Sequence, residues 1–244
     1  MNPRRLSFSL LILPALAGCA RLAAATVFST GFSTPANFAD HFVALPPSGE
    51  ARLYQDSHDG GLGLRKTGPG TLSVIFDTSA RDALVSEAGA AGSAAESDFT
   101  NVRVTAKTRF VDFGAPGLGI WARVPADYAA GCLGLVNVIS PDQVRLRIFG
   151  QGSTPASATP GALLKDTTLA SATPLDTGAF YRVSLTATET AGGTRLVLSL
   201  GTDAGELVST EATAPAGSLP AKGQVGLRTS SKTLVVDELS IDTL

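Results

Sequence analysis

Cysteine is nearly absent from this chain, which has only Cys19 and Cys132 in 244 residues. Cys19 falls within an N-terminal leader, so the rest of the chain holds one thiol and no internal disulfide. Stability must then come from a hydrophobic core, which this length permits. Histidine is as scarce, with His41 and His58 the only two. Neither sits on a predicted strand beside a nucleophile, so a Ser-His-Asp arrangement would have to be assembled from loops. Two histidines and one available cysteine at unrelated spacings do not make a zinc ligand set. Charged residues are 16% of the chain and the net charge is -2. Phosphate recognition needs a clustered basic excess, so nucleic acid is not expected as a partner. Long amphipathic helical segments are also missing. Glycine, threonine, serine, alanine and valine dominate instead, which points to an all-β chain of the size of one large sandwich.

The first residues are of a different kind. Arg4 and Arg5 precede an apolar run from Leu6 to Ala17, too short to span a bilayer, which is the pattern of a secretory signal. Leu16-Ala17-Gly18-Cys19 resembles the lipobox of bacterial lipoproteins, in which the cysteine is acylated and becomes the new N-terminus. The expected organisation is a signal peptide over 1–18, lipidation at Cys19, a short tether over 19–25 and one β-sandwich domain over 26–244. Cleavage after Ala23-Ala24-Ala25 remains the alternative and would give a secreted or periplasmic protein. Ala20 after the cysteine resembles the outer-membrane sorting pattern. The expected location is therefore the outer membrane or cell envelope, with membrane contact only through the lipid anchor. Several acyl chains at about 0.8 kcal/mol per buried CH₂ make a firm attachment. Cys132, in the apolar run Cys132 to Ile139, is expected to be a buried small hydrophobe.

Short runs of period-two alternation follow, separated by turn chemistry. They predict strands over Thr26–Phe32, Arg52–Gln55, Leu62–Lys66, Leu72–Asp77, Phe99–Phe113, Leu118–Val124, Cys132–Ile139, Gln143–Phe149, Leu163–Ala170, Phe180–Thr188, Arg195–Leu200 and Glu206–Thr213. Phe38 and Phe42 read as apolar anchors in a loop. Thr78–Ser97 and Gly150–Gly161 read as long loops. Lys222–Leu244 reads as a closing β-hairpin: Val225, Leu227 and Thr229 alternate with Gln224, Gly226 and Arg228, and Ser230–Lys232 make the turn. On the return strand Leu239 and Ile241 are out of phase with Leu234 and Val236, which predicts a bulge near Asp237. A final strand that pairs back into a sheet would bring the ends of the domain together.

The residues from 99 to 244 also carry a resemblance. Phe180-Tyr181-Arg182-Val183, the Gly192-Gly193 turn, Arg195-Leu196-Val197-Leu198, Gly223 to Arg228 and Val236-Asp237-Glu238 resemble the second half of concanavalin A-like lectin/glucanase domains, the laminin-G-like jelly rolls of secreted bacterial proteins. Gly117 to Val124, with Tyr128 and Gly131, resembles their middle strands. The resemblance implies a two-sheet antiparallel β-sandwich. It leaves activity open, since such domains include sugar binders, glycosidases, lyases and inert modules. The Glu-x-Asp-x-x-Glu strand of the glycosidases is missing. Asp237, Glu238 and Asp242 have the wrong spacing, so Asp237 reads as a structural residue at the bulge. The Arg-Thr/Ser-Glu and Gln-x-His strands of the lyases are missing too, and no catalytic residue is assigned.

Alternation supplies the candidate binding residues. With Val102, Val104, Ala106, Thr108 and Phe110 inward, Arg103, Lys107 and Arg109 point outward; with Leu118, Ile120 and Val124 inward, Trp121 and Arg123 point outward; with Val144, Leu146 and Ile148 inward, Arg145 and Arg147 do. If these strands share a sheet, they form a basic face with one aromatic platform, suited to an acidic glycan: guanidinium for carboxylate, indole for a sugar ring. An ordinary solvent face, or strands divided between two sheets, is the competing reading. Asp56 and Asp59, with His58, crowd a glycine-rich turn that either holds calcium or is merely solvated; no other metal or cofactor is expected. The expected function is a non-catalytic carbohydrate-binding or surface-interaction module for an extended acidic polysaccharide or cell-envelope glycan. The alternatives are a glycoside hydrolase or polysaccharide lyase of the same fold, and a structural envelope lipoprotein.

Overall fold

The computed structural model describes residues 25–32, 42–45, 52–58, 61–67, 70–76, 98–111, 113–114, 117–171, 173–230 and 234–244. The leader with Cys19, the tether up to residue 24, His41, Asp59 and the expected loop over 78–97 lie outside these residues.

Among the described residues the strands are, in chain order, β1 (Ala25–Thr30), β2 (Phe42–Ala44), β3 (Arg52–His58), β4 (Gly61–Thr67), β5 (Thr71–Phe76), β6 (Val102–Phe110), β7 (Gly117–Val124), β8 (Cys132–Ser140), β9 (Gln143–Phe149), β10 (Leu163–Ala170), β11 (Tyr181–Thr190), β12 (Gly193–Thr202), β13 (Gly205–Pro215), β14 (Gln224–Ser230) and β15 (Leu234–Thr243). They make two antiparallel sheets. The first has eight strands in the order β13-β12-β11-β6-β15-β4-β3, with β1 pairing β15; the second has seven, β10-β9-β8-β7-β14-β5-β2. The all-β sandwich expected from the pattern is the fold of the chain.

Alternation builds the space between the sheets. From the first, Val102, Val104, Ala106, Val183, Leu185, Ala187, Leu196, Leu198 and Leu200 point inward; from the second, Leu118, Ile120, Ala122, Val136, Val138, Val144, Leu146, Ile148, Val225 and Leu227 meet them. Each large aliphatic side chain so buried contributes about 1.5–3 kcal/mol. At Gly134 a Cβ would sit 2.8 Å from Leu198 and 3.0 Å from Leu185, both on the opposing sheet, so a bare backbone there lets the two sheets close. Cys132 is buried as expected; its Sγ donates to the Ala122 carbonyl at 3.3 Å, and burial pushes its thiol up to about 12.

Three expectations change. The closing hairpin does not form: β14 pairs β5 and β7 in the second sheet, whereas β15 pairs β1, β4 and β6 in the first. Both strands carry inward apolar residues, and their placement in opposite sheets brings these face to face. Phe42 opens the short strand β2 rather than sitting in a loop. The strand expected over Phe99–Phe113 is shorter, Val102–Phe110, with Phe99 in an isolated bridge to Gly223. The bulge is where the phase slip places it: the β15–β6 register shifts between Val236 and Glu238, leaving Asp237 as the extra residue. The ends also meet, with Ala25 opposite Thr243.

Candidate functional site

The face of the second sheet turned away from the core has three cross-strand rows, set by register. An apolar row runs through Phe149, Leu133, Trp121, Gly226 and Ile75. The next carries Asp166, Arg147, Leu135, Gly119, Arg228 and Ser73. The third carries Thr168, Arg145, Asn137 and Gly117. Asp166 is the only acidic residue in the seven strands of this sheet.

The apolar row is covered. Trp121 is fully buried with Leu45, Ile75, Val124, Leu133, Leu135 and Phe149, with Tyr128 packed against them. Its indole Nε1 donates to Ser73 Oγ at 3.1 Å, which satisfies the one polar atom of the ring. The expected exposed sugar platform is therefore a core residue. The alternation placed Trp121 on the right face, but a strand's periodicity does not report what lies over that face. The segment 150–162 meets this region: Ala156 N donates to the Tyr128 carbonyl at 3.2 Å, and Arg228 Nε donates to the Ala158 carbonyl at 2.9 Å.

Arg123 leaves the face altogether. The β7–β14 register slips between Gln224 and Gly226, and Arg123 takes a left-handed φ of 55°. Such a conformation costs a non-glycine residue about 1–3 kcal/mol and re-aims the strand. The bulge turns Val124 onto the face of Trp121, reversing its expected inward position, and sends the Arg123 side chain to the end of the sandwich, where it is 1% exposed. There it donates to the Thr100 carbonyl at 3.1 and 2.8 Å, to Thr194 Oγ1 at 2.7 Å and to the Pro220 carbonyl at 3.4 Å, and pairs with Glu189 Oε2 at 2.8 Å. It is a structural clamp that ties β11 and β12 to the connections at Thr100 and Pro220.

Arg103, Lys107 and Arg109 lie on β6, in the first sheet, so they do not share a face with Arg145 and Arg147. Lys107 pairs with Asp237 at 2.8 Å and Glu238 at 3.7 Å, and that hydrogen bond to Asp237 is the main cause of its raised pKa. Lys107 and Arg109 both lie 5.4 Å from the ring centre of Phe180. Arg103 borders a shallow trough of about 400 Å³ whose wall also includes Thr105, Arg182, Ser184, Ser199 and Glu206. Asp56 falls on β3, opposite Gly63, because that strand runs on to His58.

Arg145 and Arg147 do stand on the second sheet's outer face. Arg145 grips Asp166 through both ends of its fork, Nε to Oδ1 at 2.8 Å and Nη2 to Oδ2 at 2.5 Å. The hydrogen bond from Arg145 holds the Asp166 carboxyl below its usual range. Arg147 Nη2 donates to Asn137 Oδ1 at 2.6 Å, and its guanidinium lies 5.7 Å from the Phe149 ring centre. Its Nε is buried and has no acceptor among the described residues. Burial, and then the charge of Arg145, lower its pKa.

Arg228, 8% exposed, completes the face. Burial, and next the charge of Arg147, push it down to about 10. Among the described residues no carboxylate pairs with it. Arg228 and Asn137 are not among the candidates that alternation supplies. A signal existed for both, since Arg228 alternates with buried Val225 and Leu227, and Asn137 lies between buried Val136 and Val138, but the expected hairpin assigned Arg228 to the wrong neighbours.

No protein-family model matches the chain, and no curated protein matches it in sequence. Solved structures do match it. An endo-1,3-β-glucanase from Streptomyces sioyaensis aligns with a TM-score of 0.55 at 12% identity, covering 96% of this chain and 99% of that one. A legume lectin-like domain from Entamoeba histolytica aligns with a TM-score of 0.55 at 7% identity over 89% and 97%. A prokaryotic β-1,3-1,4-glucanase (lichenase) derived from a mouse hindgut metagenome aligns with a TM-score of 0.53 at 9% identity over 89% and 99%. The fold is that of the concanavalin A-like lectin/glucanase sandwiches.

Proposed function

We propose that this chain is a non-catalytic glycan-binding module that takes an extended acidic polysaccharide on the outer face of its second sheet. One observation carries the reading: strands β9 and β14 place three arginines on a face whose strands contain a single carboxylate, Asp166, already gripped by Arg145. Lectins and glucanases of this fold supply the glycan context. Hydrolysis by the usual glycosidase route needs a pair of carboxylates flanking the scissile bond, and the strands of this face do not supply one. The face is cationic beside a buried apolar floor, so attraction to a polyanion is largely electrostatic and weakens with salt.

The module works at the cell envelope in this reading, held by acyl chains on Cys19. Radioactive palmitate should label the wild type and not Cys19→Ala; soluble protein beginning near Thr26 would refute the anchor. For the ligand, a glycan array with neutral, uronate-containing and sulfated polymers should show retention of the acidic classes. Retention of none of them refutes the reading. Steady release of reducing or unsaturated ends transfers the case to a hydrolase or lyase.

A further inference from the structure

The outer face of the second sheet contains one buried guanidinium, Arg228, and one half-buried, Arg147, for which the described residues supply few acceptors. A guanidinium carries five N–H donors and no acceptor, and a buried cation is costly unless it is paired and hydrogen-bonded. Arg228 is 8% exposed, and the Ala158 carbonyl is its hydrogen-bond acceptor among the described residues. Arg147 gives one bond to Asn137 and keeps a buried Nε with no acceptor among the described residues. Register puts the two in one row, separated by Leu135 and by Gly119, which has no side chain. Gly119 is also hemmed in, since a Cβ there would lie 2.8 Å from Leu133 and 3.0 Å from Arg228 Cβ. Apolar Leu135 and Leu133 are thus the side chains between the two guanidiniums, and neither carries an acceptor. Their carboxylate neighbour, Asp166, is bound to Arg145 instead.

We propose that Arg147 and Arg228 form the seat for one anionic group of the bound glycan, a carboxylate or a sulfate ester, and that Arg228 is the residue that selects acidic over neutral chains. The proposal deepens the glycan-binding reading and rests on it. An oxyanion between the two forks accepts charge-assisted hydrogen bonds from both and relieves their mutual repulsion. A neutral sugar hydroxyl relieves neither charge. Arg145 plays a different part: with Asp166 in its fork it is already neutralised, and it supports the edge of the seat.

The test compares the wild type with Arg228→Met, Arg228→Lys and Arg147→Met, each first checked for an intact cooperative melt. Calorimetric titrations use a polyuronate, the same polymer after carboxyl reduction, and a sulfated polysaccharide. Arg228→Met and Arg147→Met should each weaken binding of an acidic polymer by about tenfold, as loss of one charge-assisted contact does. Binding of the carboxyl-reduced polymer should stay unchanged, and Arg228→Lys should recover only part of the loss. Whether the polyuronate or the sulfated chain responds identifies the anion. Unchanged acidic-polymer binding in both Met variants overturns the seat while leaving the glycan reading intact. Should the wild type bind no polymer at all, melts in free glucuronate or sodium sulfate against sodium chloride at equal ionic strength separate the two ideas. A rise in Tm in the wild type that Arg228→Met abolishes keeps the seat without the glycan; no difference rejects both.

Discussion

Arg123 and Arg228 are two buried arginines on neighbouring strands, and they meet burial in opposite ways. Arg123 sits at a bulge with a left-handed backbone, yet two carbonyls, a hydroxyl and a carboxylate receive its donors. Arg228 keeps an extended strand backbone, but its one described acceptor is the Ala158 carbonyl, and the charge that lowers its pKa besides burial is another arginine's. The first pattern is what a structural cation needs. The second costs the folded state and is relieved by an anion brought from outside. Burial alone thus says little about an arginine's role, and the inventory of acceptors says much more. The first sheet shows the same logic, because its outward Lys107, Arg182 and Arg195 each find an acidic partner.

The largest effect is expected at the floor beneath the seat. Trp121→Ala removes a fully buried indole, and denaturant unfolding should show a loss of about 3–5 kcal/mol. A change under about 1 kcal/mol would mean that the ring is exposed in solution, and the platform expected from alternation would return. Next, Arg123→Ala strands Thr194 and several carbonyls and should cost about 2–4 kcal/mol, somewhat less than a fully buried pair because Glu189 is half exposed. The decisive contrast is Arg228→Met. Replacing a buried cation that has no carboxylate partner among the described residues by an apolar side chain should be neutral or stabilising by about 1 kcal/mol in the same assay. A loss as large as that of Arg123→Ala would make Arg228 a second clamp and break the comparison.

The smallest effect concerns Arg145 and Asp166. Arg145 holds the Asp166 carboxyl below its ordinary 3.8, so ionised Asp166 favours the folded state above that value, and the contribution is lost as pH falls through the depressed folded value. Melting curves of wild type and Asp166→Asn should therefore differ slightly at neutral pH and converge in acid. Divergence that grows on acidification would contradict the pairing.

Much of the fold is legible in the chain because strand periodicity is local. Val102 to Phe110, Val144 to Ile148 and Val183 to Ala187 alternate as written, and the slip between Val236 and Leu239 marks the bulge at Asp237 before any partner strand is known. The same locality limits the site. Alternation assigned Arg103 and Arg145 to outward positions correctly, but it carries no information about which sheet a strand joins, and β6 and β9 join different ones.

What the sequence by itself determined is the set of side chains that leave the core: composition excluded a disulfide framework and a helical bundle, and period two separated inward from outward residues strand by strand. Tertiary structure alone decided what those outward residues do. Pairing β14 with β7 rather than β15 brings Arg228 into the row of Arg147, a bulge removes Arg123 from that face, and packing on the outer face buries Trp121. Each of these depends on contacts between residues far apart in the chain, and a pattern confined to one strand cannot encode its neighbours.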